Sequence, residues 1–186
     1  MKIKFDFSTL HNVMNEVYYP LLENHERYLV SYRGAGAGKS HFAAQKTLIR
    51  IIVGMKQGIR HRFLALRKTQ PAVRKSVFTL FIHYINEWGL NELVRINKSA
   101  MTIQFLNGSE IICGGLDDPE KLKSIEGVTS VWLEEATEFS WEDFNQINLR
   151  LRGKTKSYKQ IMLTFNPVSK FSCIKNSSRK REKKLL

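Results

Sequence analysis

The sequence predicts one α/β domain whose mainly parallel central sheet is flanked by helices. Short apolar runs typical of buried strands recur along the chain, and segments with helical spacing lie between them. No stretch rich in Pro, Gly or Ser divides the chain into two halves. The chain has 186 residues, 42% of them hydrophobic, so it is long enough to bury one sizeable core. We expect one folded domain over residues 1–170.

The first half of the chain predicts two strand–helix pairs. An apolar strand over residues 28–32 leads into a run of glycines, and a helix over residues 41–55 follows. A second strand covers residues 62–66, and a helix over residues 71–88 ends at Gly89. Strands that alternate with helices favour parallel pairing, because a parallel connection needs a crossover.

The second half predicts a small hairpin and two further strands. An Asn-Gly pair at 107–108, between apolar segments, is a strong hairpin signal and places a hairpin at residues 101–113. Apolar strands follow at residues 130–133 and 160–165, and a helix around residues 142–151 separates them.

Charge indicates the kind of partner. The chain has 30 Lys and Arg against 17 Asp and Glu, a formal net charge of +13. Twelve basic residues lie between Arg27 and Asn86, where no acidic residue occurs, and seven more lie in residues 170–186. This excess predicts a soluble polyanion as partner, with nucleic acid the first candidate. Residues 171–186 lack helical or strand periodicity and are expected to form a disordered basic tail.

The compartment follows from what the sequence lacks. Cys113 and Cys173 are too few for a disulfide framework or a zinc site. Residues 1–12 lack the apolar run of a signal peptide, and no stretch approaches the ~20 apolar residues of a membrane span. We therefore expect a reducing, cytoplasmic compartment and no membrane partner.

The segment Arg33-Gly-Ala-Gly-Ala-Gly-Lys-Ser40 directly follows a predicted strand and opens a predicted helix, as in a phosphate-binding loop. Backbone N–H groups and the helix dipole would hold phosphates, Lys39 would reach the β- and γ-phosphates of ATP, and the Ser40 hydroxyl would bind Mg²⁺. The alternative is a glycine-rich turn with an incidental Lys-Ser pair. The residues expected around the phosphates are Arg33, Gly34, Ala35, Gly36, Ala37, Gly38, Lys39 and Ser40.

Two strand ends carry further polar residues. The apolar strand before Glu134 and Glu135 predicts that Glu134 holds the Mg²⁺ shell and that Glu135 polarises the attacking water. Thr164 and Asn166 end a later strand, where their hydroxyl and amide groups would sense the γ-phosphate. By themselves, two acids after a strand are common in α/β proteins, and an Asn-Pro pair is an ordinary turn.

Together these motifs resemble the N-terminal ATPase domain of bacteriophage terminase large subunits of the PBSX type. The resemblance is carried by SYRGAGAGKSHFAAQK, FLALRKTQPAVRKSVF, GSEIICGGLDDPEKLKSIEGVTSVWLEEATEF, LRLRG and LTFNPVSK. It implies an additional-strand P-loop NTPase fold and hydrolysis of ATP with Mg²⁺ to package double-stranded DNA into a procapsid. The roles it implies are Lys39 and Ser40 for phosphate and metal (Walker A), Glu134 for the Walker B acid, Glu135 for catalysis, and Thr164 to Asn166 for coupling.

The resemblance also implies partners: double-stranded DNA bound without sequence preference, a portal or procapsid, a small terminase subunit and a homo-oligomeric ring, all in the bacterial host cytoplasm. A ring motor takes a cation from a neighbouring subunit. Candidates close in sequence to the acidic strand, for which ordinary surface charge is the alternative, are Lys121, Lys123, Arg150 and Arg152.

Two departures from the family bear on function. Many terminases have an arginine at the position of Ala35, a role that Arg33 either takes over or does not. Family members continue into a nuclease domain, whereas this sequence shows no nuclease site and is expected to leave the family pattern near Cys173. The chain is then a stand-alone ATPase subunit, or a truncated prophage remnant that binds nucleotide and DNA without productive turnover.

Two smaller groups of residues leave alternatives open. Tyr18 and Tyr19 precede the first strand, where such ATPases hold the adenine; core packing is favoured for Tyr18, and Tyr19 is expected to bind the nucleotide. Four cations at and after the second strand either grip DNA phosphates or form a solvated face. They are Arg67, Lys68, Arg74 and Lys75.

Overall fold

The computed structural model describes residues 14–117 and 125–166, and it contains one seven-stranded sheet in the order β1-β7-β6-β2-β5-β4-β3. The strands are β1 (Tyr28–Tyr32), β2 (Arg62–Arg67), β3 (Val94–Asn97), β4 (Thr102–Phe105), β5 (Glu110–Gly115), β6 (Ser130–Glu134) and β7 (Gln160–Phe165). Five neighbouring strands, β1, β7, β6, β2 and β5, pair in parallel. The predicted mainly parallel α/β fold is confirmed.

β7 lies between β1 and β6, although it follows both in the chain. This order is the additional-strand arrangement that the resemblance implied. It brings the carboxyl ends of β1, β6 and β7 side by side, because all three strands run in the same direction. Open parallel sheets bind ligands at this edge.

The antiparallel part of the sheet holds one strand that the sequence analysis missed. β4 pairs with β5 around the Asn-Gly turn, which confirms the predicted hairpin, and β3 extends it as an antiparallel outer edge. β3 is short, and exposed residues alternate with half-buried ones along it. An outer-edge strand of this kind does not show the continuous apolar run of a buried parallel strand.

The helices lie close to their predicted positions. They are α1 (Tyr19–Leu22), α2 (Lys39–Gln57), α3 (Gln70–Val73), α4 (Thr79–Glu87) and α5 (Trp141–Arg150). A π-helical turn, Arg74–Phe78, joins α3 to α4, so the single helix predicted over 71–88 has a widened turn in its middle. There the Thr79 hydroxyl donates a hydrogen bond of 2.7 Å to the Arg74 carbonyl, five residues earlier.

Both faces of the sheet are covered by packed apolar side chains. Phe42 of α2 and Phe81 of α4 pack in the cluster on one face together with Trp132. Leu133 and Ile147 belong to the cluster on the other face, which α5 covers. The central strands are therefore buried on both sides, which explains their unbroken apolar runs.

Within the described residues, none of the helices combines the length and the apolar character that crossing a membrane requires. The predicted boundary between a folded domain at 1–170 and a basic tail at 171–186 lies outside the described residues.

Candidate nucleotide-binding site

The loop between β1 and α2, residues 33–38, closes tightly onto the helix. Gly36 and Gly38 have φ values of +75° and +76°, a left-handed conformation in which a side chain would be strained. Gly38 caps α2, and its carbonyl accepts a hydrogen bond of 2.9 Å from the Phe42 N–H. The loop therefore closes with Arg33, rather than glycine, at its start.

Lys39 is held over the mouth of this loop. Its ammonium group donates hydrogen bonds of 2.9 Å to the carbonyls of Arg33 and Gly34, and one of 3.0 Å to Oδ1 of Asn166. The side chain is only 7% exposed. A buried ammonium with three oxygen partners has a fixed position, as a residue that reaches phosphate oxygens requires.

Tyr18 connects the glycine loop to the hydrophobic core. Its hydroxyl donates a hydrogen bond of 2.7 Å to the Ala37 carbonyl, and its ring stacks on Phe42 at 4.7 Å between centroids. Only 3% of Tyr18 is exposed, so it belongs to the core. Tyr19 is half-buried against the same core cluster.

Glu134 is the centre of a buried hydrogen-bond chain that joins the ends of β6 and β7 to the first turn of α2. Ser40 Oγ donates to its Oε1 at 2.5 Å, and the Thr164 hydroxyl donates to its Oε2. Trp132 Nε1 in turn donates to Thr164 Oγ1 at 2.8 Å. Burial raises the pKa of the Glu134 carboxyl, and the two hydroxyl hydrogen bonds oppose this.

Glu135 has an unusual backbone conformation at the end of β6. Its φ of +53° is left-handed, one of two such non-glycine values among the described residues. Asn166 Nδ2 donates to Glu135 Oε1 at 3.3 Å, while Asn166 Oδ1 accepts from Lys39. One amide thus links the carboxylate after β6 to the ammonium of α2. A non-glycine residue held in this region costs about 1–2 kcal/mol, and such strain is often stored at functional sites.

The ligand set suits magnesium. Ser40 and Glu134 present a hydroxyl oxygen and a carboxylate oxygen that lie 2.5 Å apart. Both groups offer oxygen, rather than nitrogen or sulfur, to a metal ion. Mg²⁺ prefers oxygen ligands and is commonly held by one or two protein groups together with phosphates and water. In the part of the chain that the structure describes, no cluster of three or more His, Cys, Asp or Glu could hold a metal.

These groups border one cavity of about 310 Å³. Its lining consists of Ala35, Gly36, Ala37, Gly38, Lys39, Ser40, His41, Glu134, Glu135, Thr164, Phe165 and Asn166. Arg33, Gly34 and Tyr19 are not part of this lining, and for Tyr19 the contact with adenine stays a prediction.

His41 is the residue that the sequence analysis missed. It lines the cavity directly after Ser40, and its Nδ1 lies 2.7 Å from the Tyr84 hydroxyl. Its position in the first turn of α2, directly after Ser40, was the available signal.

Two of the basic residues considered for DNA are paired within the domain. Arg67 lies 3.3 Å from Glu138, and Lys68 lies 2.7 Å from Asp143. Both acids follow β6 in the chain, so Arg67 and Lys68 compensate part of the negative charge of the segment after β6. The Arg74 guanidinium donates to the Lys98 carbonyl at 2.9 Å.

The remaining basic candidates differ in their exposure. Lys75 and Arg152 are exposed, and Arg150 is half-buried in α5. Lys121 and Lys123 lie outside the described residues. The trans-acting cation therefore stays a prediction.

Comparison with known sequences identifies the family. Residues 25–184 match the family described as phage terminase large subunit. The match runs past Cys173, where we expected the sequence to depart from the family. The PBSX phage terminase large subunit of Bacillus subtilis (strain 168) is 33% identical over 135 residues, which are 73% of this chain and 30% of that protein. This chain thus spans less than a third of that relative's length.

Solved structures share the fold. The large terminase of the thermophilic bacteriophage D6E matches with a TM-score of 0.66 at 14% identity, over 91% of this chain and 41% of that one. Structures of the D6E protein with ATP-γ-S and with ADP match with a TM-score of 0.55. The N-terminal domain of the bacteriophage phi29 DNA packaging ATPase matches with a TM-score of 0.63 at 15% identity, over 90% of this chain and 86% of that one. By its sequence match, and with the fold of these proteins, the chain belongs to the phage terminase large subunit family.

Proposed function

We propose that this chain binds ATP with Mg²⁺ in the cavity between the glycine loop and the ends of β6 and β7, and hydrolyses it. The observation that carries the proposal is the convergence of an ammonium, a hydroxyl–carboxylate pair and a second carboxylate on one cavity. They are Lys39, Ser40 with Glu134, and Glu135. The D6E relatives that bind ATP-γ-S and ADP support a nucleotide as the ligand.

The glycine loop and Lys39 have the binding role. Backbone N–H groups at the start of α2 would bind the phosphates, whose charge the helix dipole stabilises. Gly34 and Gly36 have open space where a Cβ would stand, so phosphates can approach the backbone closely. Ser40 and Glu134 would hold Mg²⁺, which supplies charge neutralisation at the phosphates.

Glu135 has the catalytic role. Its carboxylate would orient the attacking water and accept its proton, which is the task of the carboxylate next to the metal ligand. Asn166 holds Glu135 Oε1 and Lys39 Nζ at the same time. When Lys39 moves to a γ-phosphate or away from it, Asn166 transmits the change to Glu135 and to the end of β7. In this way the segment from Thr164 to Asn166 would couple the state of the nucleotide to the rest of the domain.

The family suggests what the energy is used for. We propose that hydrolysis drives packaging of double-stranded DNA into a procapsid, by a ring of subunits in which a neighbour supplies the cation for the transition state. The portal and the small terminase subunit are the proposed partners, and the host cytoplasm is the proposed location. The fold that this chain shares with the phi29 DNA packaging ATPase supports this assignment.

The proposal is tested by steady-state ATP hydrolysis of the native chain and of Glu135→Gln, with and without Mg²⁺ and duplex DNA. We expect turnover only with Mg²⁺ and a loss of at least about 10²-fold in Glu135→Gln, with ATP affinity retained. If the native chain binds ATP and duplex DNA but shows no turnover under any of these conditions, the motor function is wrong and the chain is a binding remnant.

A further inference from the structure

A second cavity, of about 360 Å³, lies at the opposite end of the sheet from the glycine loop. Its lining comes from the amino ends of three parallel strands and the segments beside them. The lining residues are Arg60, His61, Arg62, Gly108, Glu110, Gly127, Thr129 and Lys154. None of them has a role in the nucleotide site.

The charge of this cavity is positive and only partly compensated. Arg62 lies 3.2 Å from Glu110, the one acid in the lining, and it also donates to the Glu126 carbonyl at 2.8 Å. Arg60 and Lys154 are exposed and make no ion pair or hydrogen bond with any residue that the structure describes. Two cations are therefore available to an anion, beside a third whose position is fixed.

Two glycines in the lining of this cavity allow a ligand to approach the backbone closely. Gly108 and Gly127 have φ values of +81° and +71°, so both positions favour glycine, and the Arg60 side chain lies against Gly108. At Gly127 the nearest atom to an added Cβ would be the Arg62 guanidinium, at 3.9 Å. A ligand oxygen can thus reach backbone and guanidinium together, as in other anion-binding sites built from glycine turns.

Close packing of Gly153 on Gly127 places Lys154 at this cavity. A Cβ at Gly153 would lie 2.2 Å from the Gly127 carbonyl oxygen, so the chain packs directly on Gly127 only because this residue has no side chain. The Gly153 N–H also donates to the Val128 carbonyl at 2.8 Å. This contact attaches the basic loop between α5 and β7, which from residue 151 to 159 contains four Lys or Arg and no acid, to the rim of the cavity.

We propose that this cavity binds a phosphate group of the DNA backbone, with Arg60 and Lys154 as the contacting cations and Arg62 as the anchored one. The inference rests on the proposed function, which takes DNA as the substrate. Contacts of this kind are independent of sequence and release counterions. The cavity would bring DNA to the strand ends opposite the nucleotide, so the two ligands do not compete.

The test measures the affinity of the full chain for a short DNA duplex over a range of NaCl concentrations. The slope of log K against log salt is negative, and each lost phosphate contact reduces its magnitude by about 0.9. The double variant Arg60→Gln with Lys154→Gln should reduce the magnitude of the slope by about two and leave ADP affinity unchanged. The charge-matched control, Arg95→Gln in the far edge strand β3 with Lys98→Gln directly after that strand, should change it less.

Glu110→Gln gives a test that misfolding cannot mimic. Removing the one acid of the lining should tighten DNA binding, because Arg62 is then uncompensated. If Glu110→Gln does not tighten DNA binding, or if the Arg60/Lys154 pair changes the slope no more than the control pair, the proposal is overturned.

Free phosphate is the other source of the same chemistry. A calorimetric titration with inorganic phosphate, with the glycine loop saturated by ADP, separates the two. Phosphate binding that the double variant loses, without any change in the DNA slope, overturns the assignment to DNA. ATP hydrolysis by the native chain is measured separately, so failure here is distinguishable from failure of the proposed ATPase.

Discussion

Lys39 and Asn166 form a hydrogen bond of 3.0 Å between Nζ and Oδ1, although 127 positions separate them in the chain. The same amide donates to Glu135 at 3.3 Å. Replacing Asn166 by Ala removes both contacts and leaves the proposed metal ligands in place. We expect kcat for ATP hydrolysis to fall by about 10²-fold, because the proposed catalytic carboxylate of Glu135 loses its orientation, while ADP affinity changes little.

Asn91→Ala, at an exposed position remote from the cavity, is the control for Asn166→Ala. Equal kcat values for the two variants would contradict a coupling role for Asn166. A loss of ADP affinity as large as the loss of kcat would assign Asn166 to binding.

We expect the side chain of Glu135 to be needed for hydrolysis while its backbone conformation lowers the stability of the fold. Because its φ is +53°, Glu135→Gly should raise the free energy of unfolding by about 1 kcal/mol relative to Glu135→Gln, which keeps the strained conformation. Both variants should lack hydrolysis. Urea unfolding of the two proteins measures the difference, and equal stabilities would show that the left-handed conformation stores no strain.

The two tyrosines before β1 should affect nucleotide binding differently. Tyr18→Phe removes the hydrogen bond to Ala37 and should weaken ADP and pyrophosphate binding alike, by about 1 kcal/mol or roughly fivefold. If Tyr19 holds the adenine, Tyr19→Ala weakens ADP binding only. Calorimetry with both ligands decides this, and equal losses in Tyr19→Ala would remove Tyr19 from the adenine site.

His61 predicts a pH dependence of stability. Burial, with a smaller contribution from Arg50, lowers the pKa of this histidine to about 4 from its ordinary 6.5. Between these pH values the unfolded chain binds a proton that the folded chain does not, so the free energy of unfolding rises with pH across this window. The slope from one such proton is at most about 1.4 kcal/mol per pH unit.

Urea unfolding at pH 4.5, 5.5 and 7 measures this effect. His61→Gln should flatten the rise relative to the native chain. The prediction is wrong if native chain and His61→Gln show the same dependence on pH.

Much of the fold follows from local pattern. β7 coincides with its predicted range because a strand buried on both faces shows an unbroken apolar run. β1 also coincides with its predicted range, although it is an edge strand in which exposed residues alternate with buried ones. The helix after the glycine loop extends two residues beyond its prediction at each end. β3 was missed because an outer-edge strand with a half-exposed face shows no such run, and only pairing with β4 makes it a strand.

The candidate site was predictable as a set of residues, but its connections were not. Spacing indicates that Lys39, Ser40 and Glu134 act on one ligand, and the structure brings all three to one cavity. No spacing indicates that Tyr18 supports Ala37, or that Arg67 pairs with Glu138. The first contact joins the segments on either side of β1, and the second joins the segment after β6 to the end of the neighbouring strand β2, so both depend on how the chain folds back on itself.

By itself, the sequence determined the α/β class, the family and the residues that surround the proposed nucleotide, because apolar runs and a glycine-rich turn are local properties of the chain. The tertiary structure decided how those residues act together. Inserting β7 between β1 and β6 puts Asn166 between Lys39 and Glu135, and packing Gly153 on Gly127 puts Lys154 beside Arg60 and Arg62. Strand order and backbone packing are long-range outcomes of burying one shared core, and residue periodicity does not encode them.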